Sequence, residues 1–145
     1  MITWKKDPFQ SEYSAFNSVA TKYALNRTDV GVKLNEIKLG YNKSNKTSLV
    51  DSVWKQLNST TSWQVGSLYD IFTNLKRSGR KKNVSRLFQQ YIGNGDVNDW
   101  MGEVSCPIIC KHENGEHSLV AGNIRLSLAK LLNIKPQVII INTDW

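Results

Sequence analysis

The sequence has little of what membrane proteins and secreted proteins need. Its longest unbroken apolar run is the four residues Val138–Ile141, whereas a membrane-spanning helix needs about 20. The first residues lack the apolar stretch of a secretory signal, and two cysteines are too few for a small disulfide scaffold. We therefore expect no membrane partner and a location in the cytoplasm, either of a bacterial cell or of a virus-infected host.

The sequence also lacks the motifs of several common enzyme classes. It has no Walker phosphate loop, no Gly-x-Gly-x-x-Gly turn and no Ser-His-Asp nucleophile elbow. The absence of these motifs does not decide whether the protein is an enzyme. The length of 145 residues and the hydrophobic content of 40% fit one globular domain.

Positive charge is abundant and concentrated in one place. The chain has 19 Lys and Arg against 12 Asp and Glu, and its net charge of +7 favours an acidic or phosphate-bearing partner. The segment 76–86, named the basic segment here, contains no acid, and without its six cations the net charge falls to +1. Those cations are Lys76, Arg77, Arg80, Lys81, Lys82 and Arg86. The basic segment is a candidate nucleic-acid-binding surface, and a solvated helix end with a linker is the alternative interpretation.

Apolar spacing predicts an α+β chain, with two parts in one domain. Residues 1–99 are predicted to be mostly helical, with a first helix over about 11–23. The polar stretch 26–46 is predicted to form loops around a short element at Leu34–Leu39. A further helix is predicted to begin at Ser48, because a serine followed by an acid three residues later resembles a capping box.

Residues 100–145 predict a β-hairpin, a helix and a last strand. The apolar run Pro107–Cys110 and the returning strand His117–Ala121 flank Asn114-Gly115, which is a strong signal for a hairpin turn. A helix is predicted directly after the second strand of the hairpin. The run Val138–Ile141 then indicates a central strand that is buried on both faces.

The junction between the hairpin and this helix is a candidate phosphate site. Gly122 has no Cβ, so a phosphate could approach the backbone, and the first N–H groups of the helix, from Asn123 onward, have no intrahelical partner. Arg125 in the first turn offers a planar fork of donors suited to phosphate oxygens. The structural alternative is that Gly122 only turns the chain and Arg125 pairs with a carboxylate.

Around this junction the sequence resembles the ParB/sulfiredoxin-like superfamily. Its members have a β-hairpin, a Gly-x-[His/Arg]-Arg-x-x-Ala turn that continues into a helix, and a short strand. The matching segments are Pro107–Ile109, Ser118–Gly122, the helix 123–132 with Arg125, and Pro136–Ile141. The resemblance implies that Gly122, Asn123 and Arg125 bind phosphate groups of DNA or of a nucleotide, with Mg²⁺ as the companion ion of a nucleotide. If the protein is an enzyme, the resemblance implies phosphoryl transfer or phosphodiester cleavage.

The sequence departs from the superfamily at positions 123 and 124. Position 124 is isoleucine, where partition proteins and sulfiredoxins have a second basic residue, and position 123 is asparagine, where sulfiredoxins have their catalytic cysteine. These departures argue against sulfiredoxin chemistry and against a full triphosphate grip.

Acidic residues before the hairpin are candidates for catalysis. Glu103 and Asp99 lead into the strand that adjoins the Gly122 turn. A carboxylate at this place could hold Mg²⁺ or act as a general base. We therefore take Glu103 and Asp99 as the candidate catalytic residues, with solvated surface acids as the alternative interpretation.

The hairpin also contains a possible metal constellation. A two-residue turn at Asn114-Gly115 would place His112 opposite His117, with Cβ atoms about 5 Å apart, and Cys110 on the same face. A structural zinc site needs a fourth ligand, which the hairpin supplies only if its strand bends. We predict that these residues bind no structural metal.

Two functional hypotheses follow from the sequence. The first is a phosphate-binding domain of the ParB/sulfiredoxin-like type that acts on DNA or on a nucleotide, as a nuclease or nucleotide hydrolase if it is catalytic. The second is a DNA- or protein-binding factor, of viral origin, that retains the fold without the chemistry. The isoleucine at position 124 favours the second hypothesis.

Overall fold

The computed structural model describes residues 2–57, 102–122, 125–126, 129 and 134–145. These residues confirm an α+β fold. The helices are α1 (Tyr13–Tyr23), which a 3₁₀ turn at Phe9–Glu12 precedes, α2 (Arg27–Lys43) and the short α3 (Asp51–Gln56). The strands are β1 (Ile2–Lys5), β2 (Thr47–Ser48), β3 (Gly102–Ser105), β4 (Ile108–Lys111), β5 (His117–Ala121) and β6 (Gln137–Asn142).

The main sheet is built largely from the C-terminal part of the chain. Its four strands lie in the order β2-β6-β4-β5, and β6 is antiparallel to β2 and parallel to β4. The predicted hairpin is confirmed, since β4 pairs with β5 in antiparallel fashion. The predicted central strand is also confirmed, because β6 has a neighbour on each side and Val138, Ile139 and Ile141 are fully buried.

A second, smaller sheet pairs the start of the chain with its later part. β1 and β3 run parallel, with Thr3 opposite Glu103 and Lys5 opposite Ser105. The N–H of Cys106 extends this pairing, because it donates to the carbonyl of Lys5 at 2.8 Å. Neither of these two strands was predicted from the sequence. This sheet places the first residues of the chain beside the segment that leads into β4.

The stretch 26–46 was predicted to be loops around Leu34–Leu39, and this prediction is wrong. It contains the 17-residue helix α2. Asn26 caps the helix by accepting a hydrogen bond from the N–H of Asp29 at 2.9 Å, and Asp29 forms an i,i+4 ion pair with Lys33. Its inward side is a sparse apolar stripe at helical spacing, made of Val30, Leu34, Ile37 and Tyr41.

The predicted helix start at Ser48 is also wrong. Thr47 and Ser48 form the edge strand β2 and pair with Val138 and Gln137, and the N–H of Leu49 donates to the carbonyl of Pro136. The backbone of Ser48 is therefore part of the sheet and is not available for a capping box. Helix α3 begins three residues later and has no side-chain cap at its start.

Buried side chains form two clusters, and alternation along the strands assigns them to opposite faces of the main sheet. The first cluster contains residues of α1 and α2 with Ile108, Cys110 and Ile139. The second contains Leu49, Ile109, Leu119, Leu126 and Val138. Leu126 and Ala129 are the buried positions described in the helix after Gly122.

In the part of the chain that the structure describes, no helix has both the length and the apolar character needed to span a membrane. The longest described helix is α2, with 17 residues. About 20 predominantly apolar residues would be needed, and α2 contains Lys33, Glu36 and Lys38 within its length.

Candidate functional site

Gly122 lies at the strand-to-helix turn, as the sequence predicts. Its φ of +104° is in the range that favours glycine, and its carbonyl accepts the first described helical bond from the N–H of Leu126 at 2.9 Å. A Cβ built on Gly122 would lie 2.8 Å from Cα and Cβ of Pro107. The position therefore requires glycine because of its backbone conformation and the close approach of Pro107, whether or not a phosphate binds.

Arg125 points into the protein and has partners there. Its Nη1 donates to the carbonyl of Ser105 at 2.7 Å and lies 3.4 Å from the carbonyl oxygen of Cys106. Its Nη2 forms an ion pair with Glu12 at 3.4 Å, and the exposed fraction of the arginine side chain is 13%. The guanidinium thus joins three segments of the fold, which corresponds to the structural alternative for this residue. Phosphate binding by Gly122 and Arg125 stays a prediction, and Asn123 lies outside the described residues.

Acidic groups lie close to the guanidinium of Arg125. Ser105 donates its hydroxyl proton to the carboxylate of Asp7, and the hydroxyl of Tyr41 donates to the main-chain oxygen of Asp7 at 2.5 Å. Burial, followed by the nearby charge of Asp7, raises the pKa of Tyr41 to about 12. Burial also raises the pKa of the neighbouring Cys106 thiol to about 11. An incoming phosphate would meet carboxylates beside the arginine, which lowers the electrostatic attraction.

Glu103, one of the two candidate catalytic acids, lies on β3 with 69% of its side chain exposed. Its carboxylate is 3.8 Å from the ammonium of Lys5, which also lies 3.6 Å from Asp7. The role of Glu103 in catalysis stays a prediction. Asp99, the other candidate, and the whole basic segment lie outside the described residues.

The hairpin turn differs from the one assumed for the histidine constellation. Lys111 is the residue opposite His117, and the N–H of Gly115 donates to the carbonyl of His112 at 2.9 Å. The loop therefore has three residues, with Gly115 at a φ of +85° in the last position. This shift of one residue puts His112 and His117 on opposite faces of the hairpin. The assumed His112–His117 pairing is wrong.

No three His, Cys, Asp or Glu residues are grouped so as to hold a metal ion in the described ranges. Cys110 is fully buried, and burial raises the pKa of its thiol to about 12. Such a thiol is almost entirely protonated at neutral pH, so it is a poor metal ligand and a poor nucleophile.

A polar cluster surrounds His112 and was not predicted from the sequence. Ser118 Oγ lies 2.8 Å from His112 Nε2, the hydroxyl of Tyr23 lies 3.3 Å from the same nitrogen, and the main-chain oxygen of Trp145 lies 2.7 Å from Nδ1. These residues come from α1, β5 and the segment after β6. The one available signal is the alternation of side chains along a strand, which indicates the hairpin residues that share a face with His112. That signal does not identify Tyr23 or Trp145, because they belong to other segments.

Comparison of the chain with models of protein families, with curated proteins and with solved structures finds no match. The function of the protein is therefore inferred from its residues and their contacts.

Proposed function

We propose that the protein is a nucleic-acid-binding factor whose phosphate contacts come from the basic segment. The observation that carries this proposal is the concentration of six cations and no acid in residues 76–86, within a chain whose other residues have a net charge of +1. Lysine and arginine that neutralise phosphates release condensed counterions, and this release supplies most of the affinity of sequence-independent binding. A cluster of this size is sufficient for several such contacts.

The contacts of Arg125 support binding in preference to nucleotide chemistry. To clamp a phosphate, the guanidinium would have to leave the carbonyl of Ser105 and the carboxylate of Glu12. Hydrogen bonds to a charged group contribute about 1.5–3 kcal/mol each, so this exchange would offset much of the gain from the phosphate. We assign to Arg125 a role in holding the turn against the first residues of the chain.

The resemblance to the ParB/sulfiredoxin-like superfamily remains part of this proposal. The β4–β5 hairpin, the glycine turn and the parallel neighbour β6 follow the expected order of elements. In our proposal this unit is a scaffold that retains the fold, while the phosphate contacts are made by a segment outside it. A protein partner would be compatible with the same scaffold.

A second candidate function is nucleotide binding at the Gly122 turn. The observation that favours it is the direct passage from β5 into a helix at a glycine with positive φ, which is a common setting for a phosphate at a helix N-terminus. In this case Mg²⁺ would accompany the nucleotide. The candidate requires Arg125 to exchange its protein partners for phosphate oxygens.

A binding screen separates the two candidates. The unmodified protein is titrated at low salt into labelled duplex DNA, single-stranded DNA and single-stranded RNA, and into ATP and CTP, each with and without Mg²⁺. We expect fluorescence anisotropy to show nucleic-acid binding that does not depend on Mg²⁺ and no saturable nucleotide binding. Saturable binding of ATP or CTP without nucleic-acid binding would establish the second candidate instead. Binding of none of these ligands would contradict both proposals and leave a protein partner.

A further inference from the structure

Three side chains with groups used in catalysis lie close together, away from the Gly122 turn. They are Ser118, His112 and Tyr23. Ser118 Oγ lies 2.8 Å from Nε2 of His112. The hydroxyl of Tyr23, at the end of α1, lies 3.4 Å from Ser118 Oγ and 3.3 Å from the same ring nitrogen. A hydroxyl, an imidazole and a phenol are thus within contact of one another.

The partner of the other ring nitrogen decides the tautomer of His112. Nδ1 lies 2.7 Å from the main-chain oxygen of Trp145, which can only accept a hydrogen bond. Nδ1 therefore holds the proton and donates it, and in the neutral ring Nε2 has a lone pair that accepts from Ser118. Thr143 donates its hydroxyl proton to the same Trp145 oxygen at 2.8 Å, which fixes the position of that acceptor. The serine thus faces a base that a third group orients, as nucleophilic catalysis requires.

The cluster adjoins a small cavity. A volume of about 370 Å³ is lined by the rings of Tyr23, His112 and Trp145 and by hairpin residues that include Glu113 and Glu116. Tyr23 and His112, which both contact Ser118, line this cavity, and Ser118 beside them is itself partly exposed. His112 is 6% exposed, so the base is largely shielded from water. The aromatic wall suits a small acyl group, and the two carboxylates repel anionic substrates.

We propose that Ser118 is a nucleophile toward small, uncharged carboxylic esters. The oxygen of Ser118 forms a bond to the ester carbonyl carbon, and His112 Nε2 takes the hydroxyl proton. The bond between that carbon and the leaving alcohol then breaks, and His112 returns the proton to the departing oxygen. Water then gives a proton to His112 and bonds to the carbonyl carbon of the acyl-serine. The bond between that carbon and the Ser118 oxygen breaks, His112 returns the proton to Ser118, and the carboxylic acid leaves. The Tyr23 hydroxyl donates to the oxygen that becomes negative during both steps.

Covalent labelling of the unmodified protein tests this proposal without dependence on a substrate. An uncharged alkyl fluorophosphonate reacts with an activated serine, which forms an oxygen–phosphorus bond, while fluoride leaves and the histidine takes the proton. We expect intact-protein mass spectrometry to show one adduct and peptide mapping to place it on Ser118. Ser105 is the internal control, because its hydroxyl donates to the carboxylate of Asp7 and has no histidine partner.

Two variants distinguish an activated serine from a merely structural one. Ser118→Ala should abolish the adduct and the hydrolysis of p-nitrophenyl acetate above the buffer rate. Tyr23→Phe keeps the ring but removes the donor, and it should slow labelling by about 100-fold, with circular dichroism that matches the unmodified protein. The absence of an adduct in the unmodified protein, or labelling of Ser118→Ala at an equal rate, would overturn the proposal.

Discussion

The two faces of the β4–β5 hairpin each contain a buried histidine, and the two histidines differ in their polar partners. His112 and His117 are equally buried, with exposed fractions of 6% and 7%. Both ring nitrogens of His112 have polar partners, in Ser118 and Trp145. By contrast, Nδ1 of His117 has no hydrogen-bond partner in the described part of the chain.

The difference comes from what packs on each face. The His112 face receives the end of α1 and the segment after β6, which bring hydroxyl groups and main-chain oxygens. The His117 face belongs to the side of the sheet with Ile109 and Leu119, whose buried neighbours are apolar. Burial and the nearby charge of Lys111 accordingly lower the pKa of His117. Two histidines with equal burial therefore differ in their hydrogen bonding, because the neighbouring groups decide which partners a buried imidazole has.

The largest effect is expected where a buried charge has partners. Arg125→Met should destabilise the protein by about 3 kcal/mol, because it leaves the carbonyl of Ser105 and the carboxylate of Glu12 without their cation. Urea unfolding followed by circular dichroism measures the change. Glu12→Gln is the matched control, with an expected loss of about 1 kcal/mol, since the carbonyl contacts remain. A fully stable Arg125→Met protein would contradict the structural role of this residue.

The two histidines should respond differently to the same substitution. His112→Leu should cost about 2–3 kcal/mol, because Ser118 and the Trp145 oxygen lose a buried partner. His117→Leu should be neutral or stabilise by about 1 kcal/mol, because it removes an unpartnered polar atom. Equal losses in urea unfolding would show that the two faces do not differ in the way described.

A smaller effect is expected when the pH is lowered. The pKa of His117 is depressed in the folded state below its ordinary value of 6.5, so below that pH the unfolded chain takes up a proton that the folded chain does not. His117 thus makes stability fall as the pH decreases from 6.5 toward the folded pKa, with no such loss above 6.5. Thermal unfolding between pH 7 and pH 5 should show a flatter profile for His117→Leu than for the unmodified protein. Parallel profiles would indicate that His117 is protonated as readily in the fold as in the unfolded chain.

The sequence predicted the elements with strong local signals better than the contacts between them. The hairpin and the strand β6 are continuous apolar runs with turn signals at their ends, and both are where the sequence placed them. Helix α2 was missed because its apolar stripe is sparse and glycines interrupt it at Gly31 and Gly40. The glycine of an Asn-Gly pair suits both a two-residue and a three-residue loop, so the sequence left the hairpin register open.

At the candidate site, too, the sequence predicted the local element but not the contacts made by distant residues. Gly122 was correctly placed at a turn, but Pro107, which requires the glycine, approaches from a different segment. Arg125 bonds to Glu12, 113 positions away in the chain. Side-chain partners at such separations leave no periodic or local pattern in the sequence. An arginine that stabilises the fold therefore looks the same in the sequence as an arginine that binds a ligand.

The central claim, nucleic-acid binding by the basic segment, is tested most directly by two charge-matched triple variants. Arg80→Gln/Lys81→Gln/Lys82→Gln removes three charges from the basic segment, and Lys22→Gln/Lys38→Gln/Lys55→Gln removes three from exposed positions elsewhere. Mobility shifts with duplex DNA at several salt concentrations give the slope of log affinity against log salt. We expect the first variant to flatten this slope by about 0.9 for each lost phosphate contact and the second to leave it near that of the unmodified protein. Equal slopes for both variants, or unmodified protein that binds no DNA or RNA at low salt, would contradict the proposed function.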